Sequence, residues 1–137
     1  MKILLISHGD FAKGLASTAT TFFGATNIYT ACVTQERGVE DLKDKVNAYL
    51  AEWGDEQVVI CSDLKGGSAN QTAVQNWLSR PNTFIVSGTN LAVVLQLVVE
   101  QEVTEEKLRE ILELAKQDVC LVNDLFKNAP AQDEEDE

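Results

Sequence analysis

The sequence has one histidine, two prolines and three cysteines, and its 11 lysines and arginines are outnumbered by 22 aspartates and glutamates. Each shortage excludes something. The formal charge of -11 argues against nucleic acid or an anionic membrane as the main partner, because sequence-independent attraction to phosphate needs clustered Lys and Arg. An acidic surface suits basic partners instead. Cys32, Cys61 and Cys120 stand far apart, each inside an apolar run, with no CxxC pair and no clustered histidine. Neither a zinc site nor a disulfide framework is expected, all three read as core, and no metal or cofactor is implied. No apolar run is long enough to cross a bilayer, and the apolar part of MKILLISHGD is too short for a secretory signal, so a cytoplasmic protein is expected.

What is present is a regular alternation. The 137 residues suit one domain, expected over residues 1–126, followed by an acidic, disordered tail over 127–137 that ends in DEEDE. KILLIS is too short for an isolated helix and too continuously apolar for a half-exposed strand, so it reads as a strand buried on both faces, delivering His8 at its end. Phe11, Leu15, Ala19, Phe22 and Phe23 then recur at helical intervals up to Gly24. Ile28–Val33 reads as a second strand. Val39, Leu42, Val46, Tyr49, Leu50 and Trp53 mark one face of a second helix. The segment 57–63 repeats the pattern of the first strand and ends in Asp63. Gly66 and Gly67 make a turn, Ser68 is placed to cap a third helix, and Ala69, Ala73, Val74, Trp77 and Leu78 give that helix a buried side. Segment 83–88 is a fourth strand. Residues 90–101 are apolar nearly all round, which calls for cover on more than one side, such as a subunit interface. Thr104, Glu105 and Glu106 open a further helix, and Asp118–Val122 reads as a last short strand or as a helical continuation.

Alternating strands and helices of this length imply a flavodoxin-like α/β sheet, with parallel strands in the order 2-1-3-4 and helices on both faces. In that order the first and third strands are neighbours, and the crevice beyond their carboxyl ends is where such sheets bind ligands. His8 with Gly9 and Asp63 with Gly66, Gly67 and Ser68 then converge. An imidazole nitrogen can attack a phosphoryl group when its other nitrogen is held by an acceptor, a role that suits Asp63. Backbone amides near Gly9, Gly66, Gly67 and Ser68 are candidates to hold phosphoryl oxygens. Each signal alone also has a plain structural explanation: a loop-capping histidine, a turn, an N-cap. Asp10 and Lys65, beside these turns, are read as solvated. A hydrolase built on Ser68, His8 and Asp63 is a rival, although Ser68 lacks the G-x-S-x-G nucleophile elbow.

The segments ISHGDFAKGL, SDLKGGSANQ and SGTNLAVVLQL resemble, in order and spacing, three motifs of the mannose-family IIA component of the bacterial phosphoenolpyruvate-dependent sugar phosphotransferase system. The resemblance covers nearly the whole chain except the tail. It implies that His8 accepts a phosphoryl group from the histidine-containing phosphocarrier protein and passes it to a IIB partner, with the membrane IIC and IID components engaged only indirectly. It implies that Asp63 orients the imidazole and that Ser68 lies by the phosphoryl group. It also implies a homodimer in which the segment DVCLV crosses to the partner's sheet as an antiparallel strand, and a separate IIA polypeptide. Lys65 departs from the Trp of some relatives and Ala92 from the Pro of many, so the sugar class does not follow.

Overall fold

The computed structural model describes residues 1–127. Four parallel strands, β1 (Lys2–His8), β2 (Ile28–Val33), β3 (Val58–Ser62) and β4 (Thr83–Val86), form one sheet in the order β2-β1-β3-β4. The expected strand order and α/β architecture are therefore present. The helices are α1 (Phe11–Phe23), α2 (Val39–Trp53), α3 (Ser68–Trp77), α4 (Leu91–Leu97), α5 (Glu105–Lys116) and α6 (Val122–Phe126).

Side chains on successive strand residues point to opposite faces, and β1 shows the consequence. Ile3 and Leu5 join the core beneath α1, α4 and α5, whereas Leu4 and Ile6 join the core beneath α2 and α3. All four are at most 1% exposed, which is why an unbroken apolar run was needed here. β1 pairs with β3 so that Ile6 lies opposite Ser62, which brings the residues that follow, His8 and Asp63, to one end of the sheet.

Several expectations are corrected. In α1 the buried stripe is Ala12 and Ala19, with Leu15 and Ala16 partly buried, while Phe11, Phe22 and Phe23 are exposed. Apolar residues lie around most of that helix, and small alanines let it approach the sheet closely. Val74 in α3, and Leu78 just past its end, are likewise exposed. The apolar segment 90–101 needs no second subunit to cover Val93, Val94 and Leu97, because α1 and α5 pack against α4 within the chain. Helix α4 ends at Leu97, well short of Gln101, and Asn90 caps it by accepting from the Val93 amide at 3.0 Å. Thr104 caps α5 in the expected way, accepting from Lys107 at 3.0 Å.

Asp118–Val122 is not a strand in this structure: it runs through a turn into α6, and Cys120 is exposed rather than core. The exchanged strand is therefore not shown. Cys32 is partly buried and only Cys61 is fully buried. The acidic tail, apart from Lys127, lies outside the described residues. No helix of the described residues is long and apolar enough to cross a membrane.

Candidate functional site

The carboxyl ends of β1 and β3 place His8 and Asp63 side by side. One Asp63 oxygen, Oδ2, accepts both the His8 backbone amide at 2.9 Å and the ring Nδ1 at 2.8 Å. A carboxylate can only accept, so this geometry puts the ring proton on Nδ1 and leaves Nε2 with its lone pair. The Ser68 hydroxyl lies 2.9 Å from Nε2 and donates to it. The two partners differ in solvent access: the Asp63 side chain is 13% exposed and that of His8 48%.

The loop from Asp63 to Ser68 wraps three consecutive atoms of the imidazole. Asp63 meets Nδ1, Ser68 meets Nε2, and Gly67 faces Cε1 between them. A Cβ on Gly67 would lie 3.2 Å from His8 Cε1 and 3.2 Å from the Leu64 carbonyl, so a larger residue here would press on the ring and push it by a few tenths of an ångström. Gly66, at φ +78°, makes the turn in a conformation that disfavours other residues. Ser68 is the first residue of α3, not its cap; Gly67 occupies the cap position and no side-chain cap is present. Its hydroxyl is thereby free to serve the histidine.

Burial works to raise the pKa of Asp63, but hydrogen bonds from the His8 amide and ring, with the ring's charge and a backbone bond of its own, hold it below the usual carboxylate value. Its other oxygen, Oδ1, is buried with no hydrogen-bond partner among the described residues. The carboxylate is thus aimed at His8 alone.

The amides of the three glycines are engaged within the chain. Gly9 donates to the Val33 carbonyl at 3.0 Å, Gly67 to that of Leu64 at 3.0 Å, and Gly66 to Asn70 Oδ1 at 3.1 Å. These residues shape the backbone around the ring, and the first-turn amides of α3, which begins at Ser68, have no intrahelical acceptor. Ser7 was not singled out from the sequence; its buried hydroxyl accepts from the Ala12 amide at 2.8 Å and fixes where α1 starts. Asn70 and Gln71 were missed as well, although they follow Ser68 by only two and three residues.

Beside His8 opens a cleft of about 700 Å³, whose walls include Asp10, Lys13, Cys32 and Glu36. Asp10 is highly exposed and lies 3.8 Å from Lys13, as a solvated pair would. The rim of this cleft is stiffened by Arg37, which reaches Asp41 at 2.6 Å and Asp44 at 3.1 Å, and by the Thr34 to Asp41 hydrogen bond at 2.6 Å. No group of three or more metal-ligating side chains occurs among the described residues.

Residues 2–116 match the family described as EIIA-man, PTS system fructose IIA component. The chain is 22% identical over 120 residues to the sorbose-specific EIIA component of the PTS system of Klebsiella pneumoniae, an alignment that spans 87% of this chain and 89% of that one. Among solved structures it resembles the PTS IIA protein associated with the fucose utilization operon of Streptococcus pneumoniae. The TM-score is 0.82 and the identity 27%, over 92% of this chain and 96% of that one. The mannose/sorbose-specific IIA subunit from Enterococcus faecalis shares the fold, with a TM-score of 0.82 at 24% identity, over 96% of this chain and 98% of that one.

Proposed function

The chain belongs to the EIIA-man family of IIA components of the sugar phosphotransferase system, and from that premise we propose that His8 is the phosphoryl carrier of the relay. The observation that carries this is the Nδ1 hydrogen bond to Asp63 at 2.8 Å, which leaves Nε2 as the nucleophile. In the forward step the Nε2 lone pair forms a bond to the phosphorus of a phosphohistidine on the phosphocarrier protein. The donor's N–P bond breaks, and its electron pair returns to the donor imidazole. The Nδ1 proton stays in place, and the Asp63 carboxylate balances the positive charge gained by the ring. The Ser68 hydroxyl turns from Nε2 to a phosphoryl oxygen, joined by the first-turn amides of α3. A histidine on the IIB component then takes the phosphoryl group by the same chemistry, and the membrane IIC and IID components act downstream.

The exposed cleft wall, with Asp10 and Glu36 beside the ring, suits a phosphocarrier with a basic face. The protein works in the cytoplasm, where phosphoenolpyruvate and the phosphocarrier are found. It is a homodimer, with Asp118–Val122 laid along the open edge of a partner's β4; the exposure of Val119, Leu121, Val122, Leu125 and Phe126 supports this. Sedimentation at micromolar concentration is expected to show no stable monomer, and a clean monomer refutes the exchange.

The test of the relay is incubation with phosphoenolpyruvate, enzyme I and phosphocarrier, followed by detection of an acid-labile phosphate. His8→Ala must abolish the label, and a variant that labels as well as wild type overturns the proposal. Asp63, His8 and Ser68 also form the hydrogen-bonded line of an acyl-transfer triad. That second reading requires hydrolysis of a p-nitrophenyl ester that Ser68→Ala abolishes; its absence removes it.

A further inference from the structure

The loop that wraps His8 has to keep two points at a set spacing: Asp63 on one side of the ring and Ser68 on the other. Within Leu64–Gly67 only the turn bond from the Gly67 amide to the Leu64 carbonyl at 3.0 Å helps, and the loop is exposed over Leu64–Gly66. The spacing is held from outside it. Asn70, one turn into α3, accepts the Gly66 amide on Oδ1 at 3.1 Å and donates from Nδ2 to Ser62 Oγ at 3.0 Å. Ser62 is fully buried, and its hydroxyl donates onward to the Val86 carbonyl of β4 at 3.2 Å. Gln71 adds a bond from Nε2 to the Gly66 carbonyl at 2.7 Å. One amide side chain therefore ties the residue just before Asp63 to the turn just before Ser68, and anchors both to the sheet.

We infer that Asn70 is a positioning residue for His8: it acts as a bracket that sets the width of the slot between Asp63 and Ser68, and so holds Nε2 in its attacking direction. An amide is the side chain that fits, because the bracket needs an acceptor for Gly66 and a donor for Ser62 on one planar group. Asn70 stands on α3 and Ser62 on β3, whose packing against the core makes the bracket stiff, and Gly66 is the loop residue it holds. Loss of Asn70 lets Gly66 relax and carries Ser68 away from Nε2 while the core stays intact.

The inference rests on the phosphoryl-carrier reading for its consequence in rate, but its geometry can be tested without that reading. In Asn70→Ala, the ¹⁵N resonance of His8 Nε2 is expected to move toward the position of a nitrogen without a hydroxyl donor. Asn70→Asp keeps the acceptor for Gly66 and is expected to stay closer to wild type. Asn76→Ala removes a bond of comparable kind on the same helix, from Asn76 Nδ2 to the Thr72 carbonyl at 2.8 Å, and is expected to leave the His8 nitrogens unchanged. In the transfer assay Asn70→Ala is expected to lower kcat by about tenfold, the scale of a sub-ångström misplacement, with KM for the phosphocarrier unchanged. His8 nitrogen shifts in Asn70→Ala identical to those of wild type, or equal changes in Asn76→Ala, overturn the bracket. If wild type takes no phosphate at all, the relay fails, and the nitrogen shifts still decide the bracket.

Discussion

Replacing Asp63 by Asn and by Ala separates two things the carboxylate does for His8: holding the tautomer and supplying charge. The asparagine side chain has a choice of orientation, but the His8 backbone amide removes it. That N–H lies 2.9 Å from Oδ2 and can only donate, so the carbonyl oxygen of Asn must occupy the Oδ2 position. The same oxygen then still accepts from Nδ1, 2.8 Å away in the wild type, and the tautomer survives. What disappears is the charge. A net contribution of about 1.5–3 kcal/mol for a hydrogen bond to a charged group falls to about 0.5–1.5 kcal/mol for a neutral one. The difference, about 1–1.5 kcal/mol, corresponds to about a tenfold slower transfer.

Alanine removes both bonds and leaves the His8 amide without an acceptor, so the loss is about 3 kcal/mol or more and the slowing a hundredfold or more. The assay is single-turnover transfer of labelled phosphate from the phosphocarrier, quenched on the millisecond scale. The expected order is wild type, then Asn, then Ala, with a clear step at each change. Equal rates for Asn and Ala would show that charge is the whole contribution and that the tautomer needs no holding. A wild-type rate in Asp63→Ala would refute the site.

Gly67→Ala should slow transfer by roughly tenfold with little loss of thermal stability, because the backbone there, at φ -69°, is unstrained and the new Cβ presses on His8 Cε1; a wild-type rate would mean the ring has room to shift. Ser68→Ala, which removes one neutral hydrogen bond, should cost at most about tenfold, and a larger loss than in Asp63→Ala would reverse the assigned roles. The folded pKa of Asp63 lies below its unfolded value, so its stabilising contribution is complete above the unfolded value and lost as pH falls through the folded one. Thermal melts of wild type and Asp63→Asn should therefore differ steadily near neutrality and converge below about pH 4; a gap unchanged to about pH 2 would contradict the shift. Burial pushes the Cys61 thiol up to about 12, so a thiol reagent near pH 8 should leave it intact until unfolding. Cys120 should react at once in a monomer and be protected in an exchanged dimer, which makes its labelling rate an independent measure of assembly.

The two central strands, and with them the meeting of His8 with Asp63, were legible because they rest on burial; the half-buried β2 and β4 were legible from their β-branched and aromatic residues. Residues 3–6 and 58–61 are apolar without interruption, and only a strand covered on both faces uses such a run. The stripe of α1 was not legible: Phe11, Phe22 and Phe23 fit the helical period as well as Ala12 and Ala19, and choosing between them requires knowing how closely the helix approaches the sheet. Ser68 was found for a partly mistaken reason, since a serine after two glycines looks like a cap whether its hydroxyl turns to its own helix or to a histidine sixty residues earlier. Asn70 was invisible, because nothing in SANQ says that its amide reaches back to both Ser62 and Gly66. The segment 118–122 shows the limit of pattern alone: its apolar residues are those of a strand, yet the isolated chain offers no neighbour that would make it one.

The site divides its work according to what water can replace. Asp63 is largely buried, and Oδ1 has no partner among the described residues; its hydrogen bonds to other residues go to the His8 amide and ring, where water has little access to replace it. Ser68 sits at the open side of the ring, where a lost hydroxyl leaves a position that water can fill. A relay needs this asymmetry. If both partners were buried and charged, the phosphorylated ring would be stabilised so strongly that it would not pass the group on. If both were exposed, the tautomer would drift and Nε2 would be protonated in part of the population. One buried charge fixes which nitrogen attacks, and one exposed hydroxyl can leave Nε2 at little cost when phosphorus arrives. The glycine at position 67 fits the same slot: the third side of the ring lies so close that a Cβ would stand 3.2 Å from Cε1, and without one the ring keeps the place in which Asp63 and Ser68 meet its two nitrogens.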